Sequence, residues 1–252
     1  SIRIVNGEVY NFSAHFSRLI EGMKVFRIDI PDFFTQSYFE NQISSLIQHN
    51  GIHQGGRVKL TIYRKGEVAS YFSETNEPSF ILEAEDFPSN EFILNTEGID
   101  IDVYREVIKP QNKYSSFKTT NAYFYIDAII AAKEKGLGDH LLINEKQNVI
   151  ESTNSNFFIV SNGVLYTPPL SSGCVGGTMR MKVINLALAN NIKVYESAIT
   201  SGHLLSCEEI ILTNAIQGVK WVRSYKSKRF FHKMSDKLIH LLNEDTKALI
   251  QS

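Results

Sequence analysis

The sequence predicts an α+β fold in two domains, and three observations carry that expectation. The chain has 252 residues; at about 150 residues per domain, that length allows one domain or two. Helical and strand-like hydrophobic periodicities alternate along it, in separate segments. Between them lies a polar stretch, Lys109-Pro110-Gln111-Asn112-Lys113-Tyr114-Ser115-Ser116, with the composition of a linker and a proline that breaks regular structure. The expected division is a small N-terminal α/β domain over residues 1–108, a linker over 109–118 and a larger C-terminal domain over 119–252.

Each element has its own pattern. From Ala14 to Phe26, apolar side chains fall on one helical face at Phe16, Leu19, Ile20, Met23 and Phe26, and Ser13 is the expected cap. Tyr38 to Gln48 repeats the pattern with Phe39, Ile43, Leu46 and Ile47, and Asn50-Gly51 ends it. Arg57 to Arg64 alternates, with Val58, Leu60 and Ile62 on one side and Lys59, Thr61 and Tyr63 on the other. That is a half-buried strand. Phe80–Ala84 and Ile99–Tyr104 read as further strands, so the first domain is expected to lay two helices over a largely antiparallel sheet. Past the linker, Thr119–Lys135 reads as a long helix closed by Gly136. Strands follow at His140–Asn144, Phe157–Val160 and Glu209–Thr213, with helices at Met179–Asn190 and Ser235–Ile250. There is no internal repeat and no low-complexity segment.

Composition excludes several functions. Lysine plus arginine is 26 against 27 acidic residues, a net charge of -1, without the basic excess of a protein that tracks nucleic-acid phosphates. The 43% hydrophobic and 21% charged fractions are those of a globular chain. The longest apolar stretch, Ala122 to Ala132, is broken by Asp127 and falls short of the ~20 residues a membrane span needs. No signal peptide is visible. Two cysteines, Cys174 and Cys207, are too few for a disulfide framework or zinc cluster; they read as thiols in a reducing, cytoplasmic setting. The seven histidines lack metal-ligand spacing, so no metal is expected. No Gly-x-Ser-x-Gly elbow or phosphate-binding Walker loop is present.

Three features could carry chemistry. Ser116-Phe117-Lys118-Thr119-Thr120-Asn121 puts a lysine at a linker-to-helix boundary. Shielding from water or nearby positive charge lowers an amine's pKa and makes it a usable nucleophile; the ordinary alternative is a solvated lysine. Glu151-Ser152-Thr153-Asn154-Ser155-Asn156-Phe157-Phe158 is either a plain turn or a carboxylate at the mouth of a sheet, facing a cationic ring nitrogen. Ser172-Gly173-Cys174-Val175-Gly176-Gly177-Thr178-Met179-Arg180 is a glycine-rich entry to an amphipathic helix. Its N-terminal amides and dipole suit a phosphate, although such helix entries are common.

Order and spacing join the three. Glu151-x-x-x-Ser155-Asn156-x-Phe158, then Leu165-Tyr166-Thr167-Pro168, then Gly177-x-x-Arg180 resembles the signature of the class IV aminotransferases, the fold-type IV enzymes that use pyridoxal 5'-phosphate (PLP). Lys118 lies 33 residues before Glu151, where the family's Schiff-base lysine is expected. His15-x-x-Arg18-Leu19 resembles an early family helix, and Leu212-Thr213-Asn214-Ala215 a later turn that meets the phosphate.

The resemblance implies a D-amino-acid-aminotransferase-like fold: a small α/β sandwich domain and a larger, mixed, β-barrel-like domain that binds PLP. It implies that Lys118 forms the Schiff base and carries the α-proton, and that Glu151 faces the pyridine nitrogen. Arg27 would pair with the phosphate, joined by the backbone amides of Thr178, Met179, Asn214 and Ala215. Tyr123 would stand near the cofactor hydroxyl, or serve as a core aromatic of the long helix. The resemblance further implies a small amino-carboxylate substrate and a homodimer, with each site at the domain cleft; no nucleic-acid or membrane partner is expected. The family's opening strand is expected to be missing, Ser1-Ile2-Arg3-Ile4 resembling its tail.

Met179 and Asn214-Ala215 resemble the aminodeoxychorismate lyase branch, which forms 4-aminobenzoate and pyruvate for folate synthesis. Tyr123 resembles the branched-chain aminotransferases instead. The leading expectation is therefore 4-amino-4-deoxychorismate lyase. The alternatives are an amino-acid aminotransferase of branched-chain or D-amino-acid type, and a non-catalytic cofactor-binding protein on the same fold.

Overall fold

The computed structural model describes residues 1–66, 73–87 and 89–250, with side chains to residue 248. The chain forms two compact units.

The first unit is Ser1–Glu91 with the end of the C-terminal helix from Thr246. Strand β1 (Ile2–Val5) is followed by β2 (Glu8–Val9), helices α1 (Phe12–Val25) and α2 (Gln36–His49), and strands β3 (Gly55–Arg64) and β4 (Pro78–Phe87). The sheet order is β2-β1-β3-β4, antiparallel throughout. Helix α2 starts where the Thr35 hydroxyl accepts the Tyr38 N–H at 3.2 Å, a side-chain cap. Its apolar residues Phe39, Ile43 and Ile47 recur every fourth position and are buried with Ile2, Ile4 and Val58 of the sheet. Complete burial of each such side chain contributes about 1.5–3 kcal/mol. The expected cap at Ser13 is not formed. Helix α1 begins at Phe12, after Asn11 in the left-handed conformation, a geometry asparagine tolerates better than most residues.

His15 is buried in α1, and burial, then the neighbouring Arg18 guanidinium, holds its pKa well below the usual histidine range. The unfolded chain therefore binds a proton that the folded one refuses. Stability from this group is complete above about pH 6.5 and is lost as pH falls below that value. We expect the urea midpoint to drop on acidification from pH 7 to 5, and His15→Asn to flatten that drop. An unchanged slope in the variant would assign the acid sensitivity elsewhere.

The second unit is Phe92–Asp245. In order it holds β5 (Ile99–Ile108), α3 (Tyr123–Glu134), β6 (Asp139–Ile143), β7 (Val149–Ser152), β8 (Asn156–Ser161), β9 (Val164–Thr167), α4 (Thr178–Ala189), β10 (Val194–Glu196), α5 (Ser201–Ser206), β11 (Glu209–Asn214), β12 (Gly218–Tyr225), β13 (Lys228–Arg229) and α6 (Lys233–Ile250). The sheet runs β10-β9-β8-β11-β12-β5-β6-β7, with β13 on β12. Pairing is parallel at β10–β9, β12–β5 and β5–β6 and antiparallel elsewhere. Since β7 runs directly into β8, the strands from β8 to β7 curl round a shared core of Leu141, Val149, Phe157, Ile159, Ile210, Leu212 and Val222. This is the mixed, barrel-like sheet expected of the larger domain. Glu209 carboxylate oxygens accept the backbone N–H groups of Met234 (2.7 Å) and Ser235 (3.2 Å), so a negative charge meets the positive end of α6.

Two expectations are corrected here. The units divide at Glu91/Phe92, not at 109–118. Strand β5 pairs with β6 and β12, and the Lys109 N–H donates to Ile143 O at 2.9 Å, so the polar stretch is a loop inside the second unit. Helix α3 starts at Tyr123, not Thr119. The Thr119 hydroxyl accepts the Asn121 N–H at 3.3 Å, a local bond that competes with helix formation.

Candidate active site

Glu151 is the next-to-last residue of β7, inside the second unit, and is 2% exposed. Its Oε1 accepts from the Tyr125 hydroxyl at 2.8 Å and from the Lys109 ammonium. Its Oε2 accepts the Val175 N–H at 2.8 Å. Asp139 fixes the turn that follows: its Oδ1 accepts from Thr153 Oγ1 (2.6 Å) and the Thr153 N–H (3.2 Å). Burial, then the adjacent Glu151 charge, pushes the Tyr125 hydroxyl far above its ordinary range, so it stays a donor. The same two causes push the Cys174 thiol up to about 12.

Ser155 and Asn156 tie two loops to this carboxylate. Asn156 Nδ2 donates to Val175 O at 2.7 Å, pulling the glycine-rich loop onto β8. A Cβ on Gly177 would stand 1.9 Å from Asn156 Oδ1; only glycine permits this approach at the entry to α4. Ser155 Oγ accepts from Asn214 Nδ2 at 3.0 Å. Asn214 Oδ1 in turn accepts the N–H groups of Ile216 (3.1 Å) and Gln217 (2.9 Å), which folds the turn after β11. Thr213 pairs with Asn156 across β11 and β8, and its buried Oγ1 has no hydrogen-bond partner. The start of α4 and the turn at 214–217 are thus fastened to two adjacent residues, Asn156 at the start of β8 and Ser155 just before it.

The expected site residues fall in four places. Glu151 and Asn214 belong to this set of contacts, Thr178 and Met179 open α4 directly after Gly177, and Ala215 follows Asn214 in the turn. Lys118 is exposed in the loop before α3; that loop reaches the site where Ser116 O accepts the Gly176 N–H at 2.8 Å. Tyr123 opens α3, is 58% exposed and packs on Phe124. Tyr125, two residues on, is the tyrosine that meets Glu151. Arg27 lies in the first unit, exposed and with φ 55° at the end of α1. Sequence reasoning missed Lys109 and Tyr125. Lys109 sat in a stretch whose polarity read as solvated linker. Tyr125 was one of three aromatics, Tyr123, Phe124 and Tyr125, with nothing to rank them.

The family model for amino-transferase class IV matches residues 1–225. The chain belongs to the class IV aminotransferases. A Methanocaldococcus jannaschii protein provisionally named a branched-chain-amino-acid aminotransferase is 28% identical over 84% of this chain and 72% of its own length. The aminodeoxychorismate lyase of Vibrio harveyi is 23% identical over 87% and 79%. Among solved structures, a Legionella pneumophila protein provisionally named 4-amino-4-deoxychorismate lyase superposes with TM-score 0.88, at 22% identity over 97% of this chain and 89% of that one. A Brucella abortus aminotransferase bound to PLP superposes with TM-score 0.83, at 18% identity over 98% and 87%. The fold is therefore fold-type IV, and the cofactor held on that fold in the Brucella abortus structure is PLP. Among the described residues, no helix is long and apolar enough to cross a membrane.

The residues present fit that cofactor. Glu151 is a buried carboxylate with three donors on it and an acceptor position left on Oε2, as a protonated ring nitrogen requires. The close approach at Gly177, the first turn of α4 and the unpartnered Thr213 hydroxyl are the surroundings an anion such as phosphate takes.

Proposed function

We propose that this chain acts on an amino-carboxylate with Lys118 as the cofactor's attachment point, and that its reaction is that of 4-amino-4-deoxychorismate lyase. The observation that carries the assignment is the linkage of Glu151, through Val175, Asn156 and Ser155, to both α4 and the turn at Asn214. One rigid strand end can thereby hold the ring nitrogen and the phosphate in fixed relation. Bound PLP supplies an electron sink for charge released at the substrate's α-carbon. Glu151 holds a proton at the ring nitrogen. The Lys118 amine would take the substrate proton and return it. The amides of Thr178, Met179, Asn214 and Ala215 would hold the phosphate. Met179 is buried and offers its backbone N–H, without the hydroxyl that many aminotransferases place there. Met179 and Asn214-Ala215 support the lyase over the transaminase.

Amino-acid aminotransferase activity is the second reading, favoured by Tyr123 and by the 28% identical relative. Supplying aminodeoxychorismate to the PLP-loaded protein distinguishes them. The lyase reading expects 4-aminobenzoate and pyruvate in equal amounts. Amino transfer to a keto acid without 4-aminobenzoate would reject it. We further propose that the enzyme works as a homodimer in the cytoplasm.

A further inference from the structure

Glu151 is almost wholly enclosed, so its charge needs balancing inside the protein. An ionised carboxylate offers about four acceptor positions. The Lys109 ammonium and Tyr125 hydroxyl take those of Oε1, and the Val175 N–H takes one of Oε2. One position remains, on Oε2. Lys109 is as enclosed as its partner, at 5% exposure. Its Nζ also donates to Ser115 O at 3.1 Å and stands 5.5 Å from the centre of the Tyr125 ring. Three separate groups therefore hold the ammonium in one place. Such a lysine cannot also be the attachment point, because the pyridine nitrogen and the aldehyde carbon lie at opposite ends of the cofactor ring.

We propose that Lys109 is a positioning residue of the cofactor site: its buried ammonium balances the Glu151 carboxylate and, with Tyr125, fills Oε1, so that Oε2 presents its one open position to the ring N–H. The inference rests on Glu151 being the ring-nitrogen partner. Lys109 acts through that carboxylate and touches neither ring nor substrate. A carboxylate left buried without its cation takes up a proton. Removing the Lys109 charge should therefore make Glu151 behave as the neutral amide of Glu151→Gln.

The test uses full-length protein stripped of cofactor and titrated with PLP, following the bound cofactor's absorbance across pH. Wild type is compared with Glu151→Gln, Lys109→Met and the double variant. Glu151→Gln should alter the pH profile of the absorbance. Lys109→Met should reproduce that altered profile and weaken PLP binding about tenfold, the coupling expected of residues in direct contact. The double variant should bind within about twofold of Glu151→Gln, since only coupled residues show such non-additivity. If Lys109→Met does not fold, Lys109→Gln replaces it in both backgrounds, removing the charge while keeping a donor. A wild-type profile and affinity in the lysine variant would overturn the inference. So would a loss that adds in full to that of Glu151→Gln, which would leave Lys109 a structural role only. A wild-type profile in Glu151→Gln itself would instead overturn the Glu151 assignment, and this inference with it.

Discussion

Replacing Lys118 with alanine is expected to abolish turnover, by about 10^4-fold or more, the upper range for loss of a positioned proton-transfer group. Covalent attachment of the cofactor should disappear with it. The fold should persist, because Lys118 is exposed in a loop and exposed substitutions usually change stability by only about ±0.5 kcal/mol. Noncovalent PLP binding should also persist through the phosphate contacts. Steady-state assays and thermal melts of the purified variant check both halves. Turnover near wild type would remove Lys118 from the chemistry, and unfolding would show that its loop has a structural role.

Glu151→Gln is the second large effect. An amide cannot keep a proton on the ring nitrogen as a carboxylate does, so kcat should fall by about 10^2–10^3-fold, as for loss of one preorganised electrostatic partner. The variant should still take up cofactor, since the phosphate site is untouched. Stability should fall too. Breaking a buried ion pair by neutralising one partner costs about 3–5 kcal/mol, and here Lys109 would be left enclosed without its counter-charge. Wild-type kinetics would refute the role given to Glu151. Wild-type stability would show that the ion pair contributes little to folding.

How far the sequence reveals this site depends on the range of each contact. Helix α2 was legible from Phe39, Ile43 and Ile47, because a four-residue repeat is local. Strand β3 was legible from its two-residue alternation. Glu151, Ser155, Asn156 and Gly177 were legible through their order, but their physical connection was not: Asn156 meets Val175 and Gly177 across a loop and two strands. The same limit hid Lys109, whose partner lies 42 positions away. A polar stretch containing proline reads as linker whether it is solvated or, as here, wraps a buried charge. Ile99–Tyr104 was correctly read as strand yet given to the wrong sheet, because alternation reports a buried face and not which strand pairs with it. Strand β12 carried no clean alternation, because a bulge between Val222 and Ser224 sends both Val222 and Tyr225 into the core. Among the described residues, strands as short as β10 and β13 are set by their neighbours and leave no periodicity to read.

Two lysines now stand on the same loop, one paired with Glu151 and one exposed, and their roles can be separated directly. Borohydride reduction of the PLP-loaded enzyme fixes the cofactor to whichever amine holds it, and peptide mapping then locates the adduct. The adduct is expected on Lys118, with Lys109 unmodified. An adduct on Lys109, or none on either lysine, would contradict it.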